Sequence, residues 1–393
     1  MDYDKYMSKE AMSIPPSGIR KFFDIAAEIK DCISLGVGEP DFITPKAFSQ
    51  AGIDSVLSGK TQYTSNNGLL ELREEIARYL EDTTGNKYDP KNEILVTVGA
   101  SEAIDLALRM LINPGDEIII PSPSYVSYAP CVTLCRGIPV PIHCKVENQF
   151  KVTPKELKAV ITQKTKAMIL PYPNNPTGAI MEREYLEAIA PIIKEHDLIV
   201  LSDEIYSELT YGGTHYSITS IPGMAERTIL MNGFSKAFAM TGWRIGYLAA
   251  PLTFALTMRK IHQYAIMCAP TAGQYTALAA LKSSYEDNFS EVKEMRRQYD
   301  ERRRFLVERL NKMGLSCFEP KGAFYVFPCV KSTGMDGQEF ANTLLKEKKV
   351  AVVPGDAFGE SGKDFVRISY AYSIQKLRLA MDKIEEFLNE RKK

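Results

Sequence analysis

Leu198-Ile199-Val200-Leu201-Ser202-Asp203-Glu204-Ile205-Tyr206 decides how the rest of this 393-residue chain is read. Its apolar run lacks the polar alternation of a half-solvated strand, and an acid follows at once. A strand of that composition is buried on both faces, as in a parallel sheet covered by helices. The same texture recurs at 94–98, 117–121, 138–142, 167–170, 228–232 and 245–249, with helical patterns at 101–111 and 125–135. This alternation predicts an α/β fold: a large domain with a mostly parallel sheet between helices.

Beyond Tyr285 the pattern shifts. A charged amphipathic helix over 288–313 precedes short strands near 315–318 and 324–327 and a helix near 338–346. Strands near 350–353 and 365–369 and a terminal helix from Ser373 follow. These elements predict a smaller α+β domain with its own sheet. The boundaries are 48–285 for the large domain, and 1–47 with 286–393 for the small domain and an N-terminal arm. The segment before Pro45, with Pro15, Pro16, Gly18, Gly36, Gly38 and Pro40, carries no sheet of its own and packs on the C-terminal unit or over a cleft.

Composition narrows the function. Hydrophobic residues make up 45% and charged residues 25%, with a net charge of -1, ordinary for a globular enzyme. Arg296 to Arg304 is interleaved with Asp300 and Glu301 and reads as a solvated helix face, not a nucleic-acid patch. Seven cysteines form an odd set without a CxxC pair, so a reduced, cytoplasmic protein is expected. No apolar stretch is long enough to span a bilayer, and the start has no secretory pattern. The four histidines are not spaced as a metal-binding pair, and His196 falls at the end of an amphipathic helix.

In open α/β sheets ligands bind beyond the carboxyl ends of the strands. Gly99-Ala100-Ser101-Glu102-Ala103 follows the first strand, and the N–H groups and hydroxyl of such a helix start suit a phosphate. Pro121-Ser122-Pro123-Ser124-Tyr125 brings an aromatic ring to the sheet's rim. Pro171-Tyr172-Pro173-Asn174-Asn175-Pro176-Thr177-Gly178 is dense turn chemistry that aims Asn175 at a ligand. Asp203, ending a buried strand, needs a cationic partner: a neighbouring lysine or arginine, or a protonated ring nitrogen. Met231-Asn232-Gly233-Phe234-Ser235-Lys236 places an amine where a buried strand ends. Burial lowers an ammonium's pKa and leaves a neutral amine that can condense with an aldehyde. Thr241-Gly242-Trp243-Arg244-Ile245-Gly246 adds an arginine fork suited to phosphate. Together these strand ends meet the requirements for holding pyridoxal 5'-phosphate.

These motifs, with Leu35-Gly36-Val37-Gly38-Glu39-Pro40-Asp41-Phe42 and Val366-Arg367-Ile368-Ser369-Tyr370, make the whole chain resemble the class I/II aminotransferases, of fold type I among pyridoxal-phosphate enzymes. The look is that of bacterial aspartate, aromatic and acetyl-diaminopimelate aminotransferases. The resemblance implies ping-pong transfer of an amino group from an L-amino acid to a 2-oxo acid such as 2-oxoglutarate. It makes Lys236 the lysine that bonds the cofactor, Asp203 the partner of the pyridine nitrogen, and Asn175 and Tyr206 the groups on the phenolic oxygen. Tyr125 stacks on the ring, while Ala100, Ser101, Ser235 and Arg244 hold the phosphate. Arg367 clamps the substrate carboxylate beside Gly38 and Asn175. Tyr63 reaches the neighbouring subunit's phosphate, which implies a homodimer with shared active sites. Two departures stand out: Gly233 replaces a serine common in relatives, and Ser101 replaces a lysine common in those acting on aspartate. The N-terminal segment around Ser17-Gly18-Ile19-Arg20 reads either as a lid that excludes water or as an arm packed on the partner subunit. A C–S β-lyase of the same fold shares these motifs. A ligand-sensing regulator would need a DNA-binding module, for which no space is expected before Met12 or after Arg367.

Overall fold

The computed structural model describes residues 1–16, 18 and 28–391. Seven strands form the main sheet: β2 (Ile94–Thr97), β3 (Glu117–Ser122), β4 (Ile138–His143), β5 (Thr165–Leu170), β6 (Ile199–Asp203), β7 (Thr228–Gly233) and β8 (Gly246–Ala249). Their order is β2-β8-β7-β6-β5-β3-β4, and only β8 runs against its neighbours. The apolar runs have the expected cause. Leu201, Ile229 and Met231 face one helical layer with Ile104 and Leu108, while Met168 and Val200 face the other with Leu186 and Ile189.

Helix boundaries depart from the sequence reading in two places. Gly99–Leu111 starts before Ser101, with Gly99 at φ 70°. The second helix is Tyr128–Leu134, so Tyr125 lies in the preceding turn, which follows Pro121 and Pro123. His196 is the C-cap of the helix Arg183–Glu195, as expected.

A second set of strands comes from the chain's two ends. β1 (Ile33–Ser34) pairs in parallel with β10 (Val350–Ala351), and β12 (Val366–Ser369) lies between β11 (Val353–Pro354) and β9 (Tyr325–Val326). The segment before Pro45 therefore does supply a strand, docked on the C-terminal unit. No strand forms at 315–318; Ser316 O accepts one backbone hydrogen bond, from Cys329 N, and no ladder follows. The helices Ser290–Lys312, Gly337–Lys348 and Ile374–Arg391 close this core through Leu306, Leu344, Ile384 and Phe387.

The solvated-face reading of Arg296 to Arg304 fails at two positions. Arg302 and Arg303 are buried; Arg302 binds Asp41 at 2.8 Å, and Arg303 binds Asp300 at 2.7 Å and Glu319 at 2.6 Å. A buried guanidinium is tolerable only with such partners. They come mainly from segments distant in sequence, which helical charge patterning does not show. Among the described residues, no helix is long and apolar enough to cross a membrane.

Candidate active site

Parallel β2, β3, β5, β6 and β7 end at one edge of the sheet, and β8 begins there because it runs backwards. The turns after those strands and Arg244 just before β8 therefore converge. They line a cavity of about 630 Å³ that includes Gly38, Ala100, Ser101, Tyr125, Asn175, Asp203, Tyr206, Ser235, Lys236, Arg244 and Arg367. Every site residue read from the sequence is in that lining except Tyr63, which is 79% exposed and outside it in the single chain. In the proposed lid, Ser17, Ile19 and Arg20 lie outside the described residues.

Lys236 donates from Nζ to Gly38 O at 2.7 Å. Desolvation lowers its pKa to about 8, partly opposed by Glu39, while Arg367 and Arg244 push the same way as burial. The side chain is thus poised as a nucleophile near neutral pH.

Asp203 is 5% exposed, and its contacts are the Tyr128 hydroxyl at 2.8 Å and the Ile205 N–H at 3.2 Å, not a cation. Burial pushes its carboxyl above the usual range, against the pull of the Tyr128 hydrogen bond. Among the described residues, a structural ion pair with lysine or arginine, one of the two partners considered for this acid, does not form. A cationic ring nitrogen would offset the cost of the ionised form.

Arg367 is 3% exposed and has no carboxylate partner among the described residues. Nη1 donates to Asn175 Oδ1 at 2.9 Å, Nη2 donates to Gly36 O, and Nε has no partner. Burial lowers its pKa. A buried guanidinium with a spare donor fits a ligand carboxylate.

The phosphate end is built from close backbone approach. A Cβ on Gly246 would collide with Gly99 and Ala100, so β8 lies directly against the start of the helix Gly99–Leu111. Arg244 passes over Gly99, and its Nη1 donates to Thr241 O at 3.0 Å. Gly233 has a steric cause: a Cβ there would stand 2.9 Å from Gly246 Cα and 3.0 Å from Ile245 O. The hydroxyls of Ser235 and Thr241 reach the same cavity.

Sequence reading missed Tyr128, Tyr325, Glu39 and Thr241. Tyr128 follows Tyr125 at helical spacing and was available as a signal; the two rings meet edge to face at 5.6 Å. Tyr325 had none, since it comes from the distant β9 to meet the Tyr206 hydroxyl at 2.9 Å. Glu39 accepts from the Thr241 hydroxyl across a long stretch of chain.

Residues 30–384 match the family described as Aminotransferase class I and II. The chain belongs to that aminotransferase family. It is 49% identical to the aspartate aminotransferase of Pyrococcus abyssi over 98% of this chain and 99% of that protein. It is 47% identical to aromatic-amino-acid aminotransferase 2 of Thermococcus litoralis, again over 98% and 99%. Among solved structures, the Thermus thermophilus aspartate aminotransferase with maleate superposes with a TM-score of 0.92 at 36% identity, covering 97% of this chain and 99% of that one. These full-length likenesses make the protein a transaminase and do not favour the β-lyase alternative.

Proposed function

We propose that this aminotransferase works with pyridoxal 5'-phosphate, as a cytoplasmic homodimer, and prefers aromatic amino acids as donors with 2-oxoglutarate as acceptor. The cofactor reading rests on fit: a buried acid without a cation, an amine with lowered pKa and an arginine over a helix start face one cavity. When bound, the cofactor supplies an electron sink for the pair released at the substrate's Cα.

The roles proposed for the chain's own residues are those the family resemblance implies, and their convergence on one cavity supports them. Lys236 holds and moves the proton at Cα. Asp203, fixed by Tyr128, stabilises a proton on the ring nitrogen. Asn175 and Tyr206 address the phenolic oxygen, and Tyr125 packs on the ring. Ala100, Ser101, Ser235 and Arg244 receive the phosphate. Arg367, with Gly38 and Asn175, orients the substrate carboxylate.

Arg367→Lys is expected to raise the substrate KM by about 10–100-fold, the value of one charged hydrogen bond, because a lysine cannot replace the fork. Steady-state kinetics that show an unchanged KM reject the clamp.

The donor preference rests on the cavity lining. Among the described residues its cations are Lys236, Arg244 and Arg367, each assigned above to the cofactor or to the substrate's α-carboxylate, and the remaining surface includes Val37, Ile104, Tyr125, Tyr128 and Tyr325. An uncharged ring suits that surface, whereas a second carboxylate finds no further cation among the described residues that line it. A donor screen with 2-oxoglutarate is the test: tyrosine and phenylalanine should exceed aspartate in kcat/KM, and the reverse order rejects the preference.

Exposed Ile43, Leu57, Tyr63, Tyr264 and Ile266 support the dimer, with Asn66 tied to Met267 O at 2.9 Å between them. The separate strand sets support the division at 48–285. The seven free thiols support a reducing, cytoplasmic setting.

A further inference from the structure

His262, on the helix Leu252–Ala265, is fully buried behind the start of the helix Gly99–Leu111. Its Nδ1 stands 2.7 Å from Glu102 Oε1, and its Nε2 has no hydrogen-bond partner. Glu102 Oε2 accepts from the Val98 N–H at 2.6 Å. Val98 is the residue that opens the helix, and its own side chain offers no cap. Neither Glu102 nor His262 lines the cavity, but Ala100 and Ser101, which lie between Val98 and Glu102, do.

The chemistry of this pair is specific. Val98 N–H and His262 Nδ1–H are both donors, so the residue between them must present two acceptors. A carboxylate does, and an amide does not. For the imidazole to accept instead, its proton would have to move to Nε2, where it would be buried without a partner. An acid so near a helix start would otherwise compete with an incoming anion for the positive end of the helix. Its two bonds instead engage it with Val98 and the neighbouring helix.

We propose that Glu102 and His262 are a positioning pair for the phosphate cup, holding the turn from Val98 to Ser101 in the shape that presents Ala100 and Ser101 to the cofactor's phosphate. This rests on the cofactor reading above. The pair acts through Val98 and touches no ligand itself.

The test compares uptake of pyridoxal 5'-phosphate with uptake of pyridoxal, which lacks the phosphate, by the apoenzyme. Glu102→Gln and His262→Leu are each expected to raise the Kd of the phosphorylated compound about tenfold, the value of one buried charged hydrogen bond. The Kd of pyridoxal should stay within about twofold. His262→Asn, whose side-chain N–H stands near the position of Nδ1–H, should restore most of the loss. The proposal is overturned if both compounds weaken in parallel, if neither weakens, or if the leucine and asparagine variants behave alike. Should Glu102→Gln fail to fold, the two His262 variants decide the matter. Wild-type apoenzyme that takes up neither compound would overturn the cofactor reading itself, and the pair would lose its role with it.

Discussion

Lys236→Ala is expected to lower kcat by about 10⁴-fold or more, at the upper end of what one positioned proton-transfer group contributes. Among the described residues no other amine lines the cavity, since its remaining cations, Arg244 and Arg367, are guanidinium groups. The fold should survive, since the Lys236 side chain lines the cavity and its one hydrogen bond is to Gly38 O. A second observable separates this role from a structural one. Burial lowers the Lys236 pKa to about 8, below its ordinary value, so the neutral form grows as pH rises and reaches half at about 8. Covalent capture of the cofactor by wild-type apoenzyme should therefore speed up with pH, with its midpoint near that value, and level off only well above it. Substantial activity in the alanine variant, or a flat capture profile, would remove Lys236 from the centre of the site.

Asp203→Asn comes next in size. Taking one partner from a buried charge pair costs about 3–5 kcal/mol. At about 1.4 kcal/mol per decade that is roughly a 10²–10⁴-fold loss in turnover. The asparagine keeps the shape and can still accept the Tyr128 hydrogen bond, so stability should change little while kcat falls. Single-turnover rates with an aromatic amino acid are the measurement, and full activity in the variant would reject the ring-nitrogen role. Asp203 lies at the end of β6 among apolar neighbours, where burial raises its carboxyl pKa. Its ionised form in the working enzyme therefore depends on a cation that the ligand brings.

Much of this site was legible before any coordinates. Local order is written in local sequence: the apolar runs that end in Asp203 and near Lys236, and the turn that carries Asn175, needed only strand periodicity and turn chemistry to be placed. The topological rule for open sheets then predicted that their ends would meet. Arg244 is the instructive case. It precedes its strand and would lie at the wrong edge of an all-parallel sheet. It reaches the cavity because β8 alone runs antiparallel, which no local pattern reveals.

Side-chain partnerships were harder to read. Tyr325 meets Tyr206, Glu39 meets the Thr241 hydroxyl, and His262 meets Glu102, each pair far apart in the chain. The burial of Arg302 and Arg303 is of the same kind, since their acidic partners Asp41 and Glu319 are not on their helix. Periodicity reports which face of an element is apolar; it carries no information about which distant polar group arrives to meet it.

The order of strands and turns along the chain, and with it the positions of the amine and the acid, was thus encoded locally, whereas Arg367 was singled out only by the family resemblance. Only the tertiary structure decided that Lys236 is desolvated, that Asp203 is held by a tyrosine and not by a cation, and that Gly233 is forced by its neighbour Gly246. Those properties arise from packing between segments distant in sequence, where burial and close approach set charge and shape.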